Sequence, residues 1–218
     1  MGVGCVEKDE IKIAVRNEII KTLIKKHDIS MVPVAISNRH VHLSESDIEK
    51  LFGKGYKLRL LRKLSQPGQF VCEERVTLAG EKGRLHGIRV LGPCRKETQV
   101  EISVTDSYLL GIRPTVRMSG DLKSTSGGKL IGPAGEVELA YGIIVSARHL
   151  HISEEEAAWY GVKNGDRVRI RKIGERKTVF EDVIVRCGDA HRLEVHLDTD
   201  EGNGAGIKNG EILLMEKV

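Results

Sequence analysis

The sequence predicts a mainly β protein with short helices. It should hold two small β-barrel domains related by internal duplication, preceded by an amphipathic N-terminal helix. Three observations carry that expectation. An eleven-residue motif occurs twice, strand-like alternation punctuated by glycine fills both halves, and only residues 8–27 space their apolar side chains as a helix does.

The duplication comes first because it organises everything else. Residues 37–47 and 146–156 share the pattern S-x-R-H-x-H-[LI]-S-E-x-[DE], 109 residues apart. An apolar run precedes each copy, Val32 to Ile36 and Gly142 to Val145, and a short helical stretch ending at Gly53 or Gly161 follows. Ser44 with Asp47 and Ser153 with Glu156 have capping-box spacing for those helices. Further on, Ile88 to Leu91 leads to Val100-Glu101-Ile102 and Thr105-Asp106, much as Val183 to Arg186 leads to Val195-His196-Leu197 and Thr199-Asp200. The expected division is an N-terminal helix (1–32), a first barrel repeat (33–115), a Gly-rich connection (116–141) and a second barrel repeat (142–218).

The individual elements follow from local pattern. Ile11, Val15, Ile19 and Leu23, with Ile20 and Ile24, form an apolar stripe at helical spacing that stops before Pro33. This helix is expected to pack on the first barrel or on a neighbouring subunit. The segments 75–79, 87–91, 167–171 and 192–197 alternate and read as strands, with one short helix per unit. Many short strands with few helices point to barrels.

Composition excludes several classes. Aromatic residues make up 4% of the chain and the formal charge is +4, which argues against a nucleic-acid partner. No apolar run is long enough for a membrane helix, and no secretory signal is visible. Cys5, Cys72, Cys94 and Cys187 form no CxxC pair, so a cytoplasmic setting is expected.

The histidines carry the chemistry. In an extended strand residues i and i+2 share a face, so His40 with His42, and His149 with His151, each project two imidazoles into one space. The repeat alignment supplies a third ligand to each pair, Glu101 and His196, at matching places. Three ligands of this type hold a divalent ion and leave a position for substrate. Arg95 lies close before Glu101 and offers a fork for phosphate oxygens. Cys94 reads either as a nucleophile or as a small residue after Gly-Pro. Lys82 and Arg89 suit the phosphates of a nucleotide-like ligand, and His27, His86 and His191 read as surface residues. Two other classes fit these features: a metal-dependent hydrolase of phosphoesters or thioesters, and a non-catalytic, metal-stabilised scaffold.

The stretches Val32–Ser44, Ser65–Gln69, Val90–Arg95, Gln99–Ser103, Met118–Leu122, Ala147–Ser153 and Glu194–Glu201 resemble the phosphate propanoyltransferase family, the phosphotransacylases of the propanediol-utilisation type. The resemblance runs from about Pro33 to Gly206. It implies two β-barrels, a two-zinc active site, and exchange of a short acyl group, propanoyl or acetyl, between coenzyme A and phosphate. It implies zinc on His40, His42, Glu101, His149, His151 and His196, and phosphate on Arg95. Coenzyme A contacts are implied at Ile36, Ser37, Asn38, Lys82, Arg89 and Asn203. Some members of the family reside in bacterial microcompartments, which implies shell proteins as partners and a targeting role for the N-terminal segment; a homo-oligomer is also expected. The chain departs from the usual pattern at Cys94, at Val104, and at Gly202 and Gly204 beside Asn203.

Overall fold

The computed structural model describes residues 8–27, 30–113 and 115–218, without the side chain of His27 and a few others. Its architecture is two closed six-stranded β-barrels. In the first, β1 (Met31–Ser37), β13 (Glu194–Asp198), β10 (His149–Ile152), β12 (Thr178–Cys187), β11 (Arg167–Lys172) and β14 (Ile212–Lys217) pair in that order and close on β1. In the second, β4 (Phe70–Ala79) pairs β5 (Arg84–Gly92), followed around the ring by β2 (His40–His42), β6 (Gln99–Glu101), β9 (Glu136–Ser146) and β8 (Ser126–Ile131), which returns to β4. Two short strands, β3 (Leu60–Lys63) and β7 (Val116–Arg117), extend this sheet.

The duplicated halves do not each form a separate barrel. β1 precedes the first histidine motif in sequence, yet it lies parallel to β13 in the barrel of the second motif. β9 precedes the second motif and lies parallel to β6 in the barrel of the first. Each repeat therefore lends its leading strand to the other barrel. The residues between strand and motif, Asn38-Arg39 and Ala147-Arg148, are the crossings.

The two cores are separate. Val34, Leu150, Ile170, Val183 and Leu213 fill the first, and Val41, Leu78, Val90, Leu130 and Ile143 the second. The alternation read in the sequence becomes an inward and an outward face on β4, β5 and β11.

Four short helices cap the barrels. Ser44 caps α2 (Glu45–Phe52) and Ser153 caps α4 (Glu154–Tyr160), as the motif spacing predicts. Each repeat has a second helix that the sequence reading did not find, α3 (Val104–Leu110) and α5 (Thr199–Ala205). Seven residues are too few to show a helical period, but both carry capping boxes, Ser103 with Asp106 and Asp198 with Glu201.

These boxes account for the arginine in the duplicated motif. Arg39 pairs with the buried Asp106 at 2.9 Å, and Arg148 pairs with Glu201. Each crossing is thus tied to the N-terminus of the second helix of its unit.

Helix α1 (Lys8–His27) packs on the barrel that carries the second histidine motif, not on that of the first repeat, through Ile20 and Ile24, which join its core. Lys21 and Lys25 reach over the Trp159 ring of α4, at 4.8 and 4.5 Å from its centroid. Only part of the predicted stripe is packed: Ile20 and Ile24 are buried, while Ile11, Val15 and Ile19 are each about half exposed. A step of 100° per residue puts Ile20 and Ile24 at one edge of that stripe, the edge that meets the barrel. Among the described residues no helix is long and apolar enough to cross a membrane.

Two substitutions test this architecture. Gly142 sits at φ +111° where β9 passes from β8 to β6, and a Cβ there would meet the Thr98 carbonyl oxygen at 2.7 Å. Gly142→Ala should cost about 2–4 kcal/mol and lower the melting temperature; an unchanged melting curve would refute the strained passage. Ile20→Ala should cost about 2 kcal/mol and speed proteolysis within α1. Equal cleavage rates in mutant and parent would show that the contact does not hold the helix.

Candidate active site

Strand register builds the two ligand groups. β2 runs antiparallel to β6 with His40 opposite Glu101, and β10 runs antiparallel to β13 with His149 opposite His196. Directly opposed residues on antiparallel strands share a face. His42 and His151 join two residues along the same strands. The ligand-type atoms of His40, His42 and Glu101 lie within 4.8 Å of one another, as do those of His149, His151 and His196.

The chemistry of each group fits a divalent cation. His40 Nδ1 lies 2.8 Å from the Asn38 carbonyl oxygen, and His149 Nδ1 lies 2.8 Å from the Ala147 carbonyl oxygen. A carbonyl only accepts, so each Nδ1 carries a proton, and in the neutral ring each Nε2 turns a lone pair into its cluster. His149 Nε2 is 3.1 Å from His151 Nε2. Burial, then the neighbouring His196, pushes His149 down to about 4. Burial, then His40 and Arg95, pushes His42 down to about 3, and burial with three neighbouring histidines lowers His151 further. These imidazoles are neutral at pH 7, which is the ligating form. His42 Nδ1 is buried with no hydrogen-bond partner. Burial pushes Glu101 up, but His40 outweighs it and holds the carboxyl well below the usual carboxylate range. The same pairing raises His40 against the effect of its own burial. Nitrogen and carboxylate donors in such sets suit zinc.

A second layer orients the third member of each group, with matched chemistry. Gln99 faces His42 across the strands, and its Nε2 donates to Glu101 Oε1 at 2.6 Å. Glu194 holds the equivalent place opposite His151, and its Oε2 accepts from His196 Nε2 at 3.1 Å. A carboxylate ligand is steadied by an amide donor and an imidazole ligand by a carboxylate acceptor. Glu194 also accepts from the Ser65 hydroxyl and from Gln66 Nε2, so the loop before β4 reaches across to the first barrel.

Arg95 stands beside the first group. Its Nη1 donates to Ser119 Oγ and its Nη2 to His42 Nε2, both at 2.9 Å. Arg186, opposite His151 on β12, comes from the other barrel and has no hydrogen bond or ion pair among the described residues. Burial lowers both guanidinium pKa values. Both ligand groups, both arginines and Ser119 line one cavity of about 1940 Å³.

The other expected residues divide. Ile36, Ser37, Asn38 and Arg89 line this cavity, with Asn209 Oδ1 accepting from the Ile36 N–H at 2.9 Å. Lys82, in the β4–β5 turn, and Asn203, on α5, are exposed and lie outside the lining. Cys94 is exposed and outside it too.

One histidine reading is corrected. His191 is half-buried, lines the cavity and places its Nδ1 3.0 Å from His151 Nδ1. It lies in the loop between β12 and β13, where no periodicity flags it. His86 is exposed at the cavity rim, and the side chain of His27 lies outside the described residues. The sequence reading also missed roles for Gln99, Glu194, Ser119 and Arg186. The first two were legible in principle, because Gln-Val-Glu and Glu-Val-His are aligned strand triplets with the ligand two residues on.

Comparison with known proteins agrees with the geometry. The model of the phosphate propanoyltransferase family matches residues 33–208. The chain is 49% identical over 181 residues to the phosphate propanoyltransferase of Thermotoga maritima, covering 83% of this chain and 86% of that one. It is 46% identical over 191 residues to that of Rhodobacter capsulatus, covering 88% and 89%. Identity to that of Clostridioides difficile is 44% over 199 residues, covering 90% and 94%. On this agreement over most of its length, the chain belongs to the phosphate propanoyltransferase family and is an acyltransferase.

Proposed function

We propose that the chain interconverts a short-chain acyl-CoA and inorganic phosphate with acyl phosphate and coenzyme A, the acyl group being propanoyl or acetyl. The observation that carries this reading is the meeting of two three-ligand groups and two guanidiniums in one cavity large enough for a coenzyme and phosphate together.

In this reading His40, His42 and Glu101 hold one zinc ion, and His149, His151 and His196 hold a second. Zinc bound there would supply Lewis-acid polarisation of substrate oxygens. The protein's own groups do the rest. Arg95 and Arg186 offset the charge of phosphate, which otherwise repels any second anion. Arg95 Nη2 meets the His42 lone pair that zinc would take, so that N–H would be released to orient phosphate toward the thioester. A phosphate oxygen bonds to the acyl carbon as the carbon–sulfur bond breaks, and sulfur leaves as the thiolate of coenzyme A. No described cysteine lines the cavity, and burial pushes the Cys72 thiol up to about 11, so direct transfer is favoured over an acyl-enzyme.

Coenzyme A is read as lying along Ile36, Ser37, Asn38 and Arg89, with Lys82 and Asn203 further out. Residence in a microcompartment, with shell proteins or a second copy of the chain as partner, is the outermost part of the reading. Its support is the exposed apolar face of α1, Ile11, Val15 and Ile19.

Acyl phosphate should form from propanoyl-CoA or acetyl-CoA plus phosphate, and release of free acid alone would favour a hydrolase. Metal analysis of the same sample should find close to two divalent ions per chain. His40→Ala and His149→Ala should each lose one ion and most activity, and full metal content in either would refute the ligand assignment. Arg95→Lys keeps the charge and loses the fork. Its Michaelis constant for phosphate should rise about tenfold while that for acyl-CoA changes little, and an unchanged phosphate constant would remove Arg95 from the phosphate site.

A further inference from the structure

Ser119 has one hydrogen-bond donor left over. It lies in the turn between β7 and β8, where the Asp121 N–H donates to the Met118 carbonyl at 2.9 Å and Gly120 takes φ +97°. Its hydroxyl oxygen accepts from Arg95 Nη1 at 2.9 Å and from Gln99 Nε2 at 2.8 Å. Both donors are fixed. A guanidinium has no acceptor. The Gln99 amide is oriented by the Gly120 N–H, which donates to its Oε1 at 2.8 Å, so Nε2 serves Ser119 and Glu101. A serine hydroxyl has two lone pairs and one hydrogen. Both lone pairs are occupied, and among the described residues nothing accepts the hydrogen. Ser119 is half-buried and borders the cavity that holds both ligand groups. The hydrogen is therefore free for a ligand in that cavity. Two incoming hydrogen bonds, one from a cation, strengthen it as a donor.

Resting on the acyltransferase reading above, we propose that the Ser119 hydroxyl contacts the substrate, donating a hydrogen bond to an oxygen of inorganic phosphate held beside Arg95. The shared contact selects phosphate. An anion drawn to the Arg95 guanidinium comes within reach of a hydroxyl already bonded to it. Arg95 supplies charge, and Ser119 supplies direction, because its single hydrogen has one place left to go. The proton stays on serine throughout, so no general base is required of it. Gly120 belongs to the same device, since its N–H keeps the Gln99 amide from flipping and reversing the pattern.

The test compares Ser119→Ala and Ser119→Cys, which lose the hydroxyl donor, with Ser119→Thr, which keeps it. Inorganic phosphate is titrated calorimetrically into each metal-containing protein as purified, and Michaelis constants are measured for phosphate and acyl-CoA. The alanine and cysteine variants should bind phosphate about 10- to 100-fold more weakly. Their acyl-CoA constants and metal content should stay at parental values, and threonine should retain phosphate affinity. Parental phosphate affinity in both alanine and cysteine variants would overturn the proposal. A lowered kcat in that case would move the donor to the acyl carbonyl. Loss of phosphate binding together with loss of metal would also overturn it, because Ser119 would then act through Gln99 on Glu101. If the parent protein makes no acyl phosphate, the acyltransferase reading fails, and the calorimetric comparison still decides the role of Ser119.

Discussion

The exchange of leading strands between the barrels is the constraint on which the rest of the molecule depends. β1 and β9 each end in one barrel, and two residues later the chain is in the other. Each His-x-His motif therefore begins at the boundary between barrels. The crossing residues serve the motif directly: the carbonyls of Asn38 and Ala147 hold the Nδ1 hydrogens of His40 and His149. The arginines beside them anchor the crossing to the capping boxes of α3 and α5.

The duplicated sites have the same scaffold but different charge. One third ligand is a carboxylate and the other an imidazole, and the supporting residue changes with it from Gln99 to Glu194. The substitutions compensate within each pair. Glu101 is a carboxylate steadied by an amide donor, while His196 is an imidazole steadied by a carboxylate acceptor. Each group thus keeps one buried acid, Glu101 in one and Glu194 in the other.

Electrostatics also account for the side of the cavity that faces substrate. Arg95 and Arg186 come from different barrels, and burial lowers the pKa of each. Arg95 is already committed to neutral partners, Ser119 and His42, and Arg186 has no acidic partner within ion-pair distance among the described residues. Two half-buried guanidiniums without dedicated counter-ions leave attraction for an anion. Exposed ion pairs such as Arg171 with Glu216 and Lys129 with Glu136 lie outside the cavity lining.

Much of this protein was written in its sequence because local rules reach that far. Period-two alternation marked the strands, capping spacing marked α2 and α4, and the repeat placed Glu101 with His40 and His42 and His196 with His149 and His151, since strand register carries equivalent residues to equivalent places. The short helices α3 and α5 escaped because seven residues hold too little periodicity. Other features were settled only by tertiary structure. Which barrel β1 and β9 enter depends on pairing partners more than 100 residues away for β1, and alternation is identical whichever sheet receives the strand. The seated face of α1 depends on the shape of the barrel under Ile20 and Ile24. His191, Arg186 and Ser119 reach the cavity from separate loops and strands, and no spacing along the chain encodes a meeting of distant segments. Sequence determines which faces are apolar and which residue types are available. Closure of the two barrels decides which of them converge, because convergence is set by long-range pairing and not by any local period.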